Sequence, residues 1–336
     1  MTTLLRLAIH RMDFARAAEK RSLEAAVQDE ALFQSLSLDD LSALFARRVR
    51  ARSFVPEALL AHAEEDLRVL EDRGIQLLFH DHAAVPRLLR EIYDPPFALF
   101  VVGSLPDGPP PVAVVGTRSP SAAGAAAAER LGRELGAAGV SVVSGLARGI
   151  DTRAHRGALE AGGRHVIVLG SGIDTIYPPE NRGLARRVLE EQGAVLSEYP
   201  PGVPPTKYHF PERNRIISGL SRGVVLVEAP AQSGALFTAD FALEEGRELM
   251  VHAAGVDEAG AAGTALLARE GAPVVRGAED VLGQLGLPAA AGRERPRKRK
   301  WPRAVPAVQS RAAGRQLGLD LISEIEGENP EGEPRV

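Results

Sequence analysis

The feature that most constrains the fold of this chain is a regular alternation of short valine-rich runs with longer helical segments from residue 112 onward. The runs are not polar at alternate positions, which is typical of parallel strands buried on both faces. Intervening stretches such as 122–139 are long enough for a helix that crosses between two strands. This alternation predicts an α/β fold with an open, doubly wound parallel sheet. The predicted strands lie in 112–117, 140–145, 165–170, 194–199, 223–229 and 248–253.

The first hundred residues have a different pattern, which indicates helices and one short strand. Apolar residues recur at intervals of three and four within 38–49 and 56–74, and the run 75–80 is short enough for a strand. The division that we expect is a helical N-terminal domain over 1–100, an α/β domain over 101–288 and a charged tail over 289–336.

The composition excludes several classes of protein. The 336 residues include no cysteine, which excludes disulfide bonds, thiolate metal sites and a thiol nucleophile. No run approaches the roughly 18 apolar residues that a membrane-spanning helix needs. The apolar part of the N-terminal segment is too short for a secretory signal. We therefore expect a soluble, cytoplasmic protein that does not contact a membrane.

The net charge of −4 gives no indication of a nucleic-acid partner. Local charge is more informative, because an acidic tail can mask a basic pocket in the sum. Residues 293–303 carry seven Lys and Arg against one Glu, and 320–333 is acidic. Opposite charge blocks of this kind are typical of disordered tails, so we expect 289–336 to be largely disordered.

Cationic and small residues follow several of the predicted strands, at the point where each strand ends. They are Gly116 and Arg118 after the first strand, Arg148 after the second, and Lys207, Arg213 and Arg215 after the fourth. Ligands collect at this edge because the carboxyl ends of parallel strands meet there. Glycine lets the backbone approach a ligand, while arginine and lysine supply charge for phosphate groups. We therefore expect these cations to converge on one phosphate-binding rim.

Aromatic rings beside the cations indicate a polynucleotide rather than a single nucleotide. Tyr208 and Phe210 lie within three positions of Lys207 and offer ring faces on which unpaired bases can stack. Several phosphate sites combined with stacking rings favour a single strand as the ligand.

Other polar residues near the strand ends have simpler structural interpretations. Asp151 is suited to capping a helix, and His155 is suited to packing or capping. Glu198 and Glu228 end buried strands and can pair with arginines such as Arg215. None of these interpretations requires a ligand.

Motifs of several enzyme classes are missing from the sequence. There is no GxxxxGK[ST] loop, no GxGxxG directly after the first predicted strand, no HExxH and no GxSxG elbow that leads from a predicted strand into a helix. The eight histidines are scattered. We therefore expect no catalytic residues, no cofactor and no metal.

Long blocks of the sequence resemble the DNA-processing protein A family, also called DprA or Smf. The blocks are VAVVGTRSPS, SGLARGIDTRAH, VIVLGSGIDTIYPPENRGL, LSEYPPG, FPERNRIISGLSRGVVLVEA and SGALFTADFALEEGRELM. SGLARGID followed about sixty residues later by FPERNRIISGLS is a highly specific pair, and the resemblance covers roughly 112–285. It implies an extended Rossmann-like fold preceded by a small helical domain of the sterile-alpha-motif kind.

The resemblance also implies a function. Members of the family bind and protect single-stranded DNA, load a RecA-type recombinase on it in natural transformation, and form homodimers. Carried over by position, the family motifs place Phe210 where it would stack on a base, and the turn SGALFTA at the floor of the pocket. The DNA-binding residues that we predict are Gly116, Arg118, Arg148, Lys207, Phe210, Asn214, Arg215, Ser233 and Gly234.

The sequence departs from the family pattern in three places. Thr117 stands where members often have serine, and Ala253-Ala254-Gly255 stands where a proline-glycine pair is common. The tail 289–336 is too short and too charged for the winged-helix domain with which many members end. We therefore expect no winged helix, and these departures leave the predicted pocket intact.

Two alternative functions can be weighed against the sequence. A phosphoribohydrolase of the lonely-guy (lysine-decarboxylase-like) type would need a PGGxGT turn followed by a catalytic glutamate, where this chain has 232–238 and then Glu244 and Glu245. A domain that binds an NAD-type dinucleotide would need closely spaced glycines after the first strand, where this chain has GTRSPSAAG. Both are less favoured than a DNA-binding protein without catalysis.

Overall fold

The structure is a computed structural model that describes residues 1–51, 53–258 and 260–288. The predicted charged tail and the predicted absence of a winged helix concern residues outside that description. Among the described residues, no helix combines the length and apolar character that crossing a membrane requires.

The helices of this part of the chain are α1 (Thr3–His10), α2 (Ala17–Ala26), α3 (Glu30–Ser35), α4 (Leu38–Leu44), α5 (Pro56–Asp72), α6 (Arg87–Arg90), α7 (Ala122–Ala137), α8 (Ile150–Glu160), α9 (Arg182–Glu190), α10 (His209–Gly219), α11 (Leu236–Glu244), α12 (Ala262–Arg269) and α13 (Ala278–Gln284), with 3-10 turns at Pro179–Asn181 and Ala253–Gly255.

The strands of the described residues form one nine-stranded sheet. They are β1 (Gln76–Phe79), β2 (Ala98–Gly103), β3 (Val112–Val115), β4 (Val142–Ser144), β5 (His165–Leu169), β6 (Ala194–Ser197), β7 (Gly223–Leu226), β8 (Glu248–His252) and β9 (Val274–Val275). Their order is β1-β2-β6-β5-β4-β3-β7-β8-β9. Strands β3 to β9 run parallel, whereas β2 is antiparallel to both β6 and β1. The predicted α/β class with a mostly parallel sheet is confirmed.

The six valine-rich runs form the six strands β3 to β8. Each strand ends one to three residues earlier than its run, because the chain leaves the sheet there to form the loops of the carboxyl edge. The short strand suggested at 75–80 is β1. Strand β2 was not predicted, and it lies across the expected boundary between residues 100 and 101, where prolines flank its apolar run on both sides. Five of its six residues are buried, and it extends the sheet beyond β6.

The five N-terminal helices that precede β1 pack against the sheet. Leu5 and Ile9 of α1 belong to the same hydrophobic core as Phe97, directly before β2. The ring of His10 stacks on Phe97 with centroids 6.1 Å apart, and its Nε2 atom lies 2.8 Å from the carbonyl oxygen of Glu198, directly after β6. These contacts hold the loop after β6 in place. The predicted division into domains stays a prediction.

The sheet reverses its winding between β3 and β7. Strands β4, β5 and β6 follow β3 on one side, and β7, β8 and β9 extend the sheet on the other. In open parallel sheets a ligand crevice forms at this point. A Cβ atom on Gly116, directly after β3, would lie 2.6 Å from Cγ1 of Ile150 and 2.8 Å from the carbonyl oxygen of Glu228. Only glycine therefore lets the three segments meet at the crevice.

A buried arginine ties α10 to the carboxyl edge of the sheet. Arg213 is 5% exposed, and its guanidinium donates hydrogen bonds to the carbonyl oxygens of Gly145 and Val168, at the ends of β4 and β5. Asp151 holds the same loop from α8, because its carboxylate accepts hydrogen bonds from the backbone N–H groups of Gly145 and Ala147. Asp151 thus secures a neighbouring loop, where the sequence had indicated a helix cap. Together these contacts fix α10 against the ends of two strands.

Two histidines pack against each other between α8 and the sheet. His155 and His165 are fully buried, with ring centroids 5.7 Å apart. Burial lowers the pKa of His155 to about 3, and the neighbouring His165 lowers it as well. Burial and the charge of Arg187 lower the pKa of His165 to about 4. Both rings are therefore neutral at neutral pH, and His155 is the packing residue that the sequence predicted.

Replacing Arg213 by methionine tests the tie between α10 and the sheet. The variant loses the donors for two buried carbonyl oxygens, so we expect the free energy of unfolding to fall by about 3 kcal/mol. Urea unfolding at neutral pH measures the change. The matched control is Arg222→Met, at an exposed position before β7 on the opposite edge, which should change stability by less than about 0.5 kcal/mol. Equal stability of wild type and Arg213→Met would show that the guanidinium does not hold this edge.

The buried His155 should make folding stability depend on pH. Its pKa is about 3 in the folded chain against 6.5 for an ordinary histidine, so the unfolded chain takes up more protons between these values. The group therefore adds stability above the unfolded pKa, which is lost as the pH falls, by about 1.4 kcal/mol per pH unit between roughly pH 6 and pH 4. His155→Leu should reduce the slope of unfolding free energy against pH by this amount in urea titrations. Substitution of the exposed His82 by leucine is the control, and an unchanged slope in His155→Leu would contradict the prediction.

Candidate nucleic-acid interface

The loops after β3 and β4 meet in direct backbone contact. Gly149 has φ +77°, and a Cβ atom there would lie 2.4 Å from the carbonyl oxygen of Thr117 and 2.7 Å from that of Arg118. The N–H of Ile150, the first residue of α8, donates a hydrogen bond of 3.2 Å to the Thr117 oxygen. Because Gly149 directly follows Arg148, this contact places Arg118 and Arg148 on the same part of the rim.

An open cavity of about 480 Å³ lies beside this contact. Arg118 and Arg148 line it, and Arg153 and Arg156 from the following turns of α8 line it as well. None of the described residues that line the cavity is acidic. Arg148 pairs with Glu180, but both side chains are exposed, so the pair contributes little to stability and leaves Arg148 open to a phosphate group.

An aromatic ring lies next to the cationic cavity. The guanidinium carbon of Arg118 is 5.5 Å from the ring centroid of Phe210, in cation–π contact. Phe210 packs on the backbone of Gly170, where a Cβ atom would lie 2.8 Å from the ring. The ring of Tyr177, which the sequence prediction did not select, is 5.5 Å from that of Phe210 and partly exposed. The half-buried Phe210 is therefore held in place with a cation beside it.

Lys207 and Tyr208 occupy the turn that leads into α10. Both side chains are exposed, and the Nζ atom of Lys207 is 5.2 Å from the Tyr208 ring centroid. Phe210 is the second residue of α10, so this turn brings a third exposed cation and a second ring to the same end of the helix. The turn thus extends the rim on the side of α10.

Asn214 and the predicted floor of the pocket are in contact. The side-chain N–H of Asn214 donates a hydrogen bond of 3.3 Å to the carbonyl oxygen of Gly234, and its side-chain oxygen accepts one from Arg213. The Ser233 hydroxyl accepts a hydrogen bond from the N–H of Ala235 within the same turn. Gly234 borders open space, because a Cβ atom there would have no described atom within 4 Å beyond its chain neighbours. Asn214 therefore positions the turn before α11 beside α10.

Arg215 points into the interior, away from the other predicted cations. Its side chain is 12% exposed and pairs with Glu198 at 2.6 Å and with Asp94 at 3.3 Å. Burial acts to lower the pKa of Arg215, but the two carboxylates outweigh it and raise the pKa. The pairing of Glu198 with Arg215 is the structural interpretation that the sequence allowed. Arg215 does not line the cavity, and its contacts join α10 to the loops before β2 and after β6.

The rim therefore differs in composition from the sequence prediction. Of the five cations expected there, three are exposed at the carboxyl edge: Arg118, Arg148 and Lys207. Arg213 lies beneath the loop after β4 and contributes rigidity instead of an exposed charge. Arg153 and Arg156 were missed, because the prediction was limited to residues that directly follow strands. The signal that could have found them is their spacing of three residues, which places them on one face of α8.

The N-terminus of α7 is occupied by a carboxylate of the protein itself. Glu228, at the end of β7, is buried and accepts hydrogen bonds from the N–H of Ser121, at 3.0 and 3.1 Å, and from its hydroxyl, at 2.7 Å. A Cβ atom on Gly124 would lie 2.0 Å from this carboxylate. In dinucleotide-binding domains the pyrophosphate lies at the N-terminus of the first crossover helix. Glu228 fills that position here, which argues against the dinucleotide alternative.

The glutamates considered for the phosphoribohydrolase alternative lie far from the cavity. The carboxylate of Glu245 accepts a 2.6 Å hydrogen bond from the hydroxyl of Ser218, near the end of α10. That end of the helix leads into the start of β7, at the amino edge of the sheet. Burial raises the pKa of Glu245 to about 7. The described residues also contain no group of three or more His, Asp and Glu side chains placed to hold a metal ion.

Comparisons with known proteins show to which family this chain is similar. Residues 76–286 match the model of the family described as DNA recombination-mediator protein A. Protein Smf of Escherichia coli K12 is 44% identical over 227 residues, which cover 66% of this chain and 60% of that protein. The chain spans little more than half the length of the curated relatives that head the comparison.

Two solved structures share the fold. The X-ray structure of DNA processing protein A from Streptococcus pneumoniae has a TM-score of 0.67 and 33% identity, and the match covers 84% of this chain and 98% of that one. DNA processing protein A from Helicobacter pylori, described for its unique single-stranded DNA binding mode, has a TM-score of 0.55 and 29% identity, with coverages of 63% and 95%. Because the family model matches well over half of its residues, the chain belongs to the DNA recombination-mediator protein A family.

Proposed function

We propose that this protein binds single-stranded DNA across the carboxyl edge of its sheet, without catalysing a reaction. The observation that carries the proposal is the contact of the Arg118 guanidinium with the Phe210 ring at the side of an open, cationic cavity. This arrangement offers a charge for a phosphate group and a ring face for the neighbouring base. A polynucleotide with unpaired bases presents both partners at this spacing.

The exposed cations account for affinity without sequence preference. Arg118, Arg148 and Lys207 come from three separate loops that meet at one edge, so they can contact successive phosphates of an extended backbone. Contacts to phosphates release condensed counterions and depend steeply on salt, but they carry no sequence information. Affinity of this origin suits a protein that handles DNA of any sequence.

The aromatic rings account for the choice of single strands over duplex. Phe210 is held by Gly170 and lies 5.5 Å from Tyr177, so its ring is fixed before DNA arrives. Bases stack on such rings with little preference among them, because every base has a π-face. In a duplex the base faces are already stacked on each other and are not available to the ring.

The cellular role and the partners belong to the same proposal. We infer that the protein acts in the cytoplasm, protects DNA that enters the cell and delivers it to a RecA-type recombinase in transformation or recombination. Family membership and the Helicobacter pylori relative described as binding single-stranded DNA support this role. Phe237 and Leu243 of α11 and Leu266 of α12 are exposed apolar side chains that support a homodimer through these helices.

The phosphate contacts are tested by binding titrations at two salt concentrations. Fluorescence anisotropy with a labelled oligothymidine should give nanomolar to micromolar dissociation constants for the wild type and much weaker binding to a duplex. Arg118→Ala and Lys207→Ala should each reduce the slope of log affinity against log salt by about 0.7, alike for different sequences. Arg222→Ala, at the opposite edge, is the control of equal charge change. Slopes equal to that of the wild type would show that the two cations do not contact phosphates.

The stacking contact is tested by Phe210→Ala at fixed salt. Loss of one base–ring contact should weaken single-strand binding by about 1–3 kcal/mol, or about 5- to 150-fold, with little change in the salt slope. Phe210→Trp keeps a ring and should retain most of the affinity. Wild-type affinity in Phe210→Ala, measured on a variant whose unfolding midpoint is unchanged, would remove the ring from the proposed interface.

A further inference from the structure

Two arginines of α8 line the cationic cavity in addition to the cations that the sequence predicted. Arg153 and Arg156 are three residues apart, so they share one face of the helix, and both line the cavity with Arg118 and Arg148. Neither follows a strand directly, and neither belongs to the predicted pocket. The cavity therefore has a second cationic side, formed by the body of a helix instead of by loops.

The charge of this second side is only partly compensated within the protein. Arg153 pairs with Glu129 of α7 at 2.9 Å, and both side chains are partly exposed. Arg156 is exposed and has no carboxylate within ion-pair distance among the described residues. No acidic residue of the described chain lines the cavity. An anion bound there would contact the guanidinium of Arg156, which pairs with no described carboxylate, and that of Arg153, whose ion pair with Glu129 is partly exposed to solvent and therefore weak.

The two helices beside the cavity pack closely against each other. Helices α7 and α8 approach so closely that a Cβ atom on Gly157 would lie 1.8 Å from the carbonyl oxygen of Glu129, and one on Gly132 would lie 2.1 Å from that of Ala154. Ala122 and Ala125 of α7 form the lining beside the arginines. This surface leaves space for a chain of sugar and phosphate groups along α8.

The occupied N-terminus of α7 determines where a strand can continue. Glu228 accepts hydrogen bonds from the N–H and the hydroxyl of Ser121 at the start of α7, and its negative charge there opposes a phosphate that would enter the crevice between β3 and β7. The uncompensated positive charge lies in the other direction, along α8. Arg156 is six residues beyond the start of α8, or about 9 Å along its axis, so it can reach a phosphate that lies beyond those held by the loops.

We propose that single-stranded DNA runs from the Phe210 ring past Arg118 and then along α8, so that Arg153 and Arg156 bind phosphates beyond the nucleotide at the stacking site. This inference rests on the proposed function and specifies the direction in which the strand leaves the pocket. The ligand is the phosphodiester backbone, so the subsite does not discriminate between bases.

The test compares oligothymidines of about 20 and about 2 nucleotides in anisotropy titrations of the full chain. At about 0.15 M salt, Arg156→Ala should bind the long oligonucleotide about fourfold more weakly, and Arg153→Ala/Arg156→Ala about tenfold more weakly. The salt slope for the long oligonucleotide should fall by about 0.7 and about 1.4 respectively. Affinity for the short oligonucleotide, which the ring and the loop cations can hold by themselves, should change by less than about twofold.

Control variants distinguish the loss of a phosphate contact from the unfolding of the variant protein. Arg156→Lys keeps the positive charge and should bind the long oligonucleotide nearly as well as the wild type. Arg222→Ala should have no effect on either length. Unfolding midpoints identify any variant that is destabilised, and in that case Arg156→Gln, which keeps a long polar side chain, replaces Arg156→Ala.

The outcomes distinguish this inference from the proposed function. If Arg118→Ala and Phe210→Ala weaken binding but the α8 variants bind like wild type, the path along α8 is wrong and the pocket stands. Equal losses for long and short oligonucleotides would place both arginines within the pocket itself and would also overturn the path. If wild type binds no single-stranded DNA, the proposed function fails and the path fails with it.

Discussion

The structure of the edge depends on one buried cation, Arg213. Its guanidinium joins α10 to the ends of β4 and β5, and this contact holds the helix against the sheet. Phe210 then lies beside Arg118, Asn214 reaches the turn before α11, and Arg215 reaches Glu198 in the loop after β6. A single helix thereby coordinates the ring, the floor and the loop after β6. A buried arginine is suited to this role because its several donors satisfy carbonyl oxygens in different directions.

A second constraint concerns the crevice in which open parallel sheets commonly bind a nucleotide. The carboxylate of Glu228 takes the place of a phosphate at the start of α7. Glu228 thus supplies the negative charge at the start of α7 that a bound phosphate would otherwise supply. The exposed positive charge lies on the arginines that line the open cavity. An enclosed site retains a small molecule, whereas an open, shallow one lets a long chain enter and leave at both ends.

Sequence patterns predicted the sheet well because parallel strands buried on both faces must be short and apolar. Prolines on both sides of β2 concealed a strand that only its pairing with β6 reveals. The sequence prediction selected residues such as Arg118 and Phe210 because they follow predicted strands. It could not predict the directions in which the side chains of α10 point. Successive helical residues differ by about 100° in direction, so Arg213 and Arg215 look equivalent to exposed arginines in the sequence and are buried on different sides. Such directions depend on tertiary contacts, which a pattern of residue types does not contain.

The left-handed glycine between the two loops has an evolutionary consequence. Gly149 touches the backbone of Thr117 and Arg118, so a side chain at this single position would displace both loops together. Neither loop can lengthen, shorten or change its course independently while the other stays in place. Substitutions can therefore change the charges of the side chains in these two loops more easily than the course of either backbone. We expect the two loop backbones to change together in evolution.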